Sequence, residues 1–323
     1  MNDTTVSDTT VSDTTVNDTT AIDATVNDII YSDGAGLTLK AGEFRQISEL
    51  AYQRFGLDLK KGKEALVAAR LGKRLRQKGI KSFAEYYRHV LADSSGEALI
   101  ELIDSLTTNH TSFMREKAHF EFLARSVNEE FAGIAPLEIW CAASSTGEEP
   151  YSIAMCLSEA LWGRVEESRG AENRRRGFRI LATDISTQVL AHARRGVYLA
   201  ERFEELPDAW RRAYLLRGEG ECQGSYKIKP DLASHVEYQR LNLIEPFPHR
   251  RLFNVIFCRN VMMYFDKGTQ QNIVGRLAKC LEPGGYLFVG HSESLTGVEH
   301  ELKYVRPATY RKEKAGGGLR SWS

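Results

Sequence analysis

From Pro136 onward, short apolar runs alternate with stretches of helical period, and this alternation restricts the possible folds more than any other feature of the chain. Residues 137–142, 179–183, 253–258 and 286–289 read as strands, and residues 151–161, 187–195 and 267–281 as helices between them. Such alternation predicts an α/β fold: a parallel sheet with helices on both faces. Pro283-Gly284-Gly285 reads as a sharp turn between the last helix and its strand. Two insertions interrupt the pattern. One is a charged, Arg-rich stretch over 163–177. The other, within about 198–240, carries Gly218, Gly220 and Gly224 and reads as a small antiparallel excursion.

The chain before this region is different in kind. Residues 4–28 repeat with a period of five (TTVSD, TTVSD, TTVND, TTAID, ATVND), are acidic and hold almost no large apolar side chain. Such a segment buries too little surface to offset its ordering entropy, so 1–36 is expected to be a disordered tail. Residues 37–108 show helical spacing punctuated by glycines and predict several short helices and no strand. Between Lys60 and Lys81 there are nine bases, Arg70, Lys73, Arg74 and Arg76 among them, against the single acid Glu64. A solvated helix face is the plain reading. The size of the excess favours a docking surface for an acidic partner.

Net charge is zero at pH 7 and so says nothing about partners. The five cysteines are odd in number and free of CxxC spacing, which argues against a disulfide framework or a metal cluster. No apolar run reaches the ~20 residues of a membrane span, and no secretory signal is evident, so a cytoplasmic protein is expected.

In an open α/β sheet, ligands bind beyond the carboxyl ends of the strands. Asp184, which closes the second strand, suits a ribose, because one carboxylate accepts both hydroxyl hydrogens; an N-cap role for Asp184 or Ser186 is the alternative. The loop in WCAASSTGEEPYS (140–152) holds only Gly147 where a dinucleotide site wants G-x-G-x-x-G, which disfavours a dehydrogenase. Glu148 and Glu149 would repel a diphosphate and suit a cationic ligand such as S-adenosylmethionine. They also suit the helix dipole, so the loop alone leaves both readings open.

Several stretches together resemble the CheR-type chemotaxis receptor methyltransferases: TTNHTSFMRE (107–116), ASSTGEEPYS (143–152), ATDI (182–185), NL (242–243), FCRNVMMYF (257–265) and GHSES (290–294). The resemblance spans roughly residues 37–310. It implies a class I Rossmann-like methyltransferase sheet with a small antiparallel β-subdomain (about 198–240), preceded by an all-helical domain. The implied segments are a receptor-docking domain (37–108), a linker (109–131), a methyltransferase domain (132–312) and a flexible tail (313–323). The implied reaction is methyl transfer from S-adenosylmethionine to glutamate side chains of chemoreceptor helices, yielding methyl esters and S-adenosylhomocysteine for sensory adaptation. Asn109, Thr111, Arg115, Glu149, Asp184, Asn242, Leu243, Arg259 and Asn260 match cofactor-binding positions. Arg115 and Tyr264 match groups at the reacting centre. The basic helix with Arg70, Lys73, Arg74 and Arg76 matches the surface for the receptor's cytoplasmic bundle. The loop with Gly218, Gly220 and Gly224 resembles one that grips a receptor's C-terminal pentapeptide in some members. Where the family commonly has two aromatics, this chain has Phe113-Met114.

A glutamate nucleophile is ionised at neutral pH, with a reference pKa of about 4.3. The chemistry therefore requires neither a general base nor a metal, and alignment carries most of it. Each assignment has a plainer alternative: Arg115 as a surface ion-pair partner of Glu116 or a neighbour, Tyr264 as a strand-end aromatic packing on the cofactor. Cys258, in an apolar strand, is expected to be buried and inert. Rival functions are an RNA methyltransferase, disfavoured because no aromatics interleave the basic stretch, and a receptor-binding adaptor without activity. The expected enzyme is a monomer with no nucleic-acid partner, and it meets the membrane only through receptors.

Overall fold

The computed structural model describes residues 30–34, 36–107, 110–163, 177–248 and 250–314. They divide into two compact units: the chain up to Ile47 with Lys61–Tyr87, and Ser48–Lys60 with everything from Arg88. The repeat over 4–28, most of the Arg-rich insertion and the end of the tail lie outside the described residues.

In the first unit, β1 (Ile30–Ser32) and β2 (Thr38–Lys40) pair as an antiparallel hairpin. α1 (Ala41–Phe55) follows, its residues from Ser48 onward counted in the second unit, then α2 (Glu64–Lys78), which buries Val67, Ala68, Leu71 and Leu75 along one stripe. Its bases fall on the opposite side, as an amphipathic helix requires. Arg76 forms an ion pair with Asp33 of the hairpin, and Gly72 makes room for that carboxylate: a Cβ there would lie 2.4 Å from the Asp33 Oδ2. Arg70, Arg74 and Lys78 also make interactions of their own. Two expectations are corrected here. Residues 37–108 do contain a strand, β2, and the presumed tail contributes β1. Strands of three residues are too short to show a period, and this hairpin is held by tertiary contact with α2.

α3 (Phe83–Ala92) begins in the first unit and ends in the second, which continues with α4 (Glu97–Leu106). α5 (Ala118–Glu129), β3 (Leu137–Cys141), α6 (Glu148–Trp162), β4 (Phe178–Asp184) and α7 (Thr187–Arg195) come next. β5 (Val197–Leu199), α8 (Asp208–Tyr214), β6 (Leu215–Arg217) and β7 (Ser225–Ile228) follow. The chain ends through α9 (Pro230–Ala233), β8 (Val236–Arg240), β9 (Phe253–Phe257), α10 (Lys267–Lys279), β10 (Leu281–Phe288), β11 (Leu302–Arg306) and β12 (Thr309–Lys312).

The main sheet has seven strands in the order β11-β12-β10-β9-β3-β4-β8. From β10 to β8 every pair is parallel, whereas β12 and β11 add antiparallel to one edge. A second sheet, β5-β7-β6, is antiparallel, as the glycine-bearing insertion predicts, but β8, at the end of the same 198–240 stretch, joins the main sheet parallel to β4 instead. Strand periodicity divides the core in two. Leu137, Ile139 and Cys141 face α5 and α6 with Ile180, Val255 and Phe257. Trp140 and Ala142 point the other way, into a second cluster with Leu181, Ile256, Ile273, Val274 and Leu277. Both faces are thus covered, which is why the strands read as unbroken apolar runs. Pro283-Gly284-Gly285 lies inside β10, with a register shift between Leu281 and Tyr286, and is not the turn expected before the strand. Among the described residues no helix is long and apolar enough to cross a membrane.

Candidate functional site

The strand order reverses direction around β3, so the loops after β3, β4 and β9 converge at the topological switch point where α/β sheets take ligands. Four non-glycine residues of adjoining segments hold left-handed backbone: Ser145 (φ 47°), Met114 (φ 56°), Asn260 (φ 57°) and Glu116 (φ 60°). Such conformations are costly and persist only where the surroundings impose them, often at functional sites.

A cleft opens here, walled by Leu57, Ile103, Leu241, Leu243, Val261 and Phe265 and by the polar Asp184, Asn242 and Tyr264. Its apolar walls fit a flat aromatic base, and Asp184 stands at the cleft beside them. Among the described residues that line it, Asp184 and Tyr264 are the ones that ionise. Asp184 Oδ2 accepts the Ser145 N–H (2.8 Å) and Oδ1 the Ser186 N–H (3.1 Å). Burial, opposed by those two N–H groups and aided by the charge of Asp104, pushes the Asp184 carboxyl up to about 6. The N-cap of α7 is Ser186, whose Oγ accepts the Val189 N–H at 3.3 Å, so the capping alternative falls to the serine. Asn242 lines the cleft while its amide donates to the Arg54 carbonyl (2.9 Å) and to Glu245 (3.0 Å).

A second group of site residues forms a buried charged cluster. The guanidinium of Arg259 is fully buried between Glu149 (2.7 Å) and Glu116 (2.9 Å), and it also donates to the Arg115 carbonyl at 2.6 Å. Glu149 additionally accepts the Cys141 thiol at 3.1 Å. Although burial pushes the Glu116 carboxyl up, Arg259 holds it below the usual range. Glu116 is therefore engaged by Arg259, which removes the Arg115–Glu116 ion pair considered from the sequence. The Arg115 side chain instead donates to the His110 carbonyl at 2.7 Å. The Asn260 amide sits 3.4 Å from Glu116. Thr111 is buried, its carbonyl accepting from Arg202 at 2.6 Å. Met114 packs against the core, its N–H donating to Ser152 Oγ at 2.9 Å. Asn109 lies outside the described residues.

Glu148 has a larger role than the helix start alone. It is fully buried, pairs with Arg202 and accepts the Thr146 hydroxyl at 2.6 Å. Gly147 is where the loop has no freedom to vary. Its φ is 101°, and a Cβ would lie 2.7 Å from the Tyr198 hydroxyl and 2.8 Å from Ala193 Cβ. Gly147→Ala is expected to lower stability by about 2–4 kcal/mol, from left-handed strain plus overpacking, in urea denaturation.

Sequence spacing did not reveal Glu116, Arg202, Glu293, or the lining residues Phe55, Leu57 and Ile103. Glu116, His119 and His291 also bring possible metal-ligating atoms within 4.8 Å of one another. Arg259 already donates to the same Glu116 oxygen, so a dication there would sit against a guanidinium. His119 is buried, and burial together with Arg259 pushes it down to about 3, leaving the imidazole neutral. Cys258 is fully buried and its thiol pushed up by burial, consistent with an inert core position. Arg70, Lys73, Arg74 and Arg76 lie on α2, in the first unit. Gly218, Gly220 and Gly224 lie in the β6–β7 connection of the second, where a Cβ at Gly218 would meet the Cys222 carbonyl at 2.1 Å.

The chain is also similar to known proteins. Residues 42–107 match the family model "CheR methyltransferase, all-alpha domain", and residues 109–311 match "CheR methyltransferase, SAM binding domain". The chain is 39% identical to chemotaxis protein methyltransferase 2 of Pseudomonas aeruginosa, covering 83% of this chain and 92% of that one. It is 40% identical to the chemotaxis protein methyltransferase of Klebsiella aerogenes (84% and 90% covered) and 38% identical to that of Escherichia coli (86% and 93%). The chain therefore belongs to the CheR methyltransferase family, and its larger part is an S-adenosylmethionine-binding methyltransferase domain.

Proposed function

We propose that this enzyme methylates glutamate side chains on the cytoplasmic helices of chemoreceptors, forming methyl esters for sensory adaptation. The observation that carries this reading is the cleft lining. Its ionisable groups among the described residues are Asp184 and Tyr264, neither of which is a base matched to deprotonating an amine or alcohol at neutral pH once Asp184 holds a ribose. A carboxylate acceptor is already ionised and needs no such base. The relatives' designation as chemotaxis methyltransferases points to the same class of substrate.

S-adenosylmethionine supplies an electrophilic methyl group when bound. Leu57, Ile103, Leu243 and Phe265 would enclose its base, Asp184 its ribose, and Asn109, Thr111, Glu149, Asn242, Arg259 and Asn260 the rest of the site. Arg115 and Tyr264 orient the acceptor carboxylate by charge-assisted and hydroxyl hydrogen bonds. The exposed Lys73 and its neighbours Arg70, Arg74 and Arg76 would meet the acidic receptor bundle. The β6–β7 connection with Gly218, Gly220 and Gly224 would hold a receptor's terminal pentapeptide. Undiminished pull-down with tails lacking that peptide would count against the last point.

The direct test is radiolabelled methyl transfer to membranes carrying single receptors, followed by peptide mapping. Label on glutamate supports the reading; label confined to RNA or to another side chain overturns it. Arg115→Ala is expected to lower this transfer by roughly 10²–10³-fold while the melting temperature stays near wild type, since the side chain's one described hydrogen bond is local.

A further inference from the structure

We propose that Glu293 is a positioning residue: its buried carboxylate braces the 259–264 loop in the shape the cofactor site requires. The inference rests on the function proposed above for the location of that site. Glu293 lies just beyond β10, is 8% exposed, and has no charged partner at hydrogen-bond distance among the described residues. Its Oε2 accepts the N–H groups of Gly290 (2.7 Å) and Asn260 (2.8 Å), and its Oε1 accepts that of Met263 at 3.3 Å. One carboxylate thus binds the backbone of two separate segments.

The segment it holds carries several groups of the site. Arg259 immediately precedes the left-handed Asn260, and Tyr264 ends the 3-10 turn Met262–Tyr264. Left-handed backbone is costly even for asparagine, and an N–H anchored to a carboxylate offsets that cost. The brace reaches further through Glu116, whose Oε2 accepts the His291 N–H at 3.1 Å and whose Oε1 lies 3.4 Å from the Asn260 amide. The turn at 290–293 therefore ties the Asn260 backbone and the Arg259 ion-pair cluster together.

Two features make a carboxylate and a glycine necessary. Three N–H donors converge on Glu293, so a glutamine would point its own NH₂ at at least one of them. A Cβ at Gly290 would lie 2.4 Å from the Asn260 amide nitrogen, 2.8 Å from Glu293 Oε2 and 3.0 Å from the Asn260 backbone nitrogen. Substitution at either residue displaces the same loop by a different route.

The test uses the full chain with Glu293→Gln and, separately, Gly290→Ala, which retains the carboxylate. Calorimetry with S-adenosylhomocysteine is expected to show affinity about 10–100-fold weaker in both variants, the value of a lost charge-assisted hydrogen bond. Backbone amide NMR is expected to show the Asn260 N–H losing its carboxylate-bonded downfield position in Glu293→Gln. A lowered melting temperature with unchanged affinity in both variants would make Glu293 merely structural and overturn the proposal. If the wild-type chain itself fails to bind S-adenosylhomocysteine, the cofactor reading falls. The Asn260 amide shift then decides the brace alone, and an unmoved resonance in Glu293→Gln rejects it.

Discussion

Arg259→Ala is expected to destabilise the protein by about 3–5 kcal/mol at pH 7, the largest effect of any single substitution at the site. The guanidinium is fully buried, and Glu149 and Glu116 face it with side chains only 12% and 14% exposed. Removing it leaves two carboxylates close together in a poorly solvated space, each without its counter-charge. The pH dependence follows from Glu116. Its folded carboxyl is held below the usual range, so this stabilisation is present above the unfolded pKa and is lost as pH falls through the folded value. In the variant Glu116 loses the counter-charge that holds it down and takes up a proton more readily. The gap between variant and wild type should therefore be widest near neutrality and narrow as the pH falls. Urea denaturation at several pH values measures both. A loss under 1 kcal/mol at pH 7 would mean that water solvates the cluster.

The second large effect concerns ligand affinity. Asp184→Asn is expected to weaken S-adenosylhomocysteine binding by about 30–100-fold, because two ribose hydroxyls lose a charged acceptor. In the free protein burial raises the Asp184 carboxyl to about 6. Hydroxyl donors favour the ionised form, so binding must release a proton below that value. The affinity of the wild-type protein should then climb roughly tenfold per pH unit up to about 6 and level off above it. The same titration of Asp184→Asn should be flat. A pH-independent wild-type affinity would place the ribose elsewhere.

How much of this was legible from sequence varied with the length and locality of each signal. The helix over 187–195 has the bounds its period predicts. β3, β4 and β9 were recognisable because both of their faces are largely buried, which produces continuous apolar runs. β11 and β12 were not, since β11 is an edge strand whose middle residues are exposed and carries no apolar run to read. β1 and β2 are three residues each and depend on Asp33 docking against Arg76. Pro283-Gly284-Gly285 reads as a turn from composition, yet neighbouring strands carry it as an irregularity within β10.

Local chemistry determined the candidates: a single glycine followed by two carboxylates, an aspartate closing a strand, an arginine and a tyrosine in recognisable surroundings. Only the tertiary structure decided what each charge faces. Arg259 meets Glu116 and Glu149 across 143 and 110 residues of chain, and Glu148 meets Arg202 across 54. No local pattern encodes such pairings, because they follow from sheet order bringing remote loops to one switch point. In a poorly solvated site the identity of the partner sets a group's charge state. The sequence by itself thus determined which groups are present at the site, and the fold decided which of them remain available to a ligand.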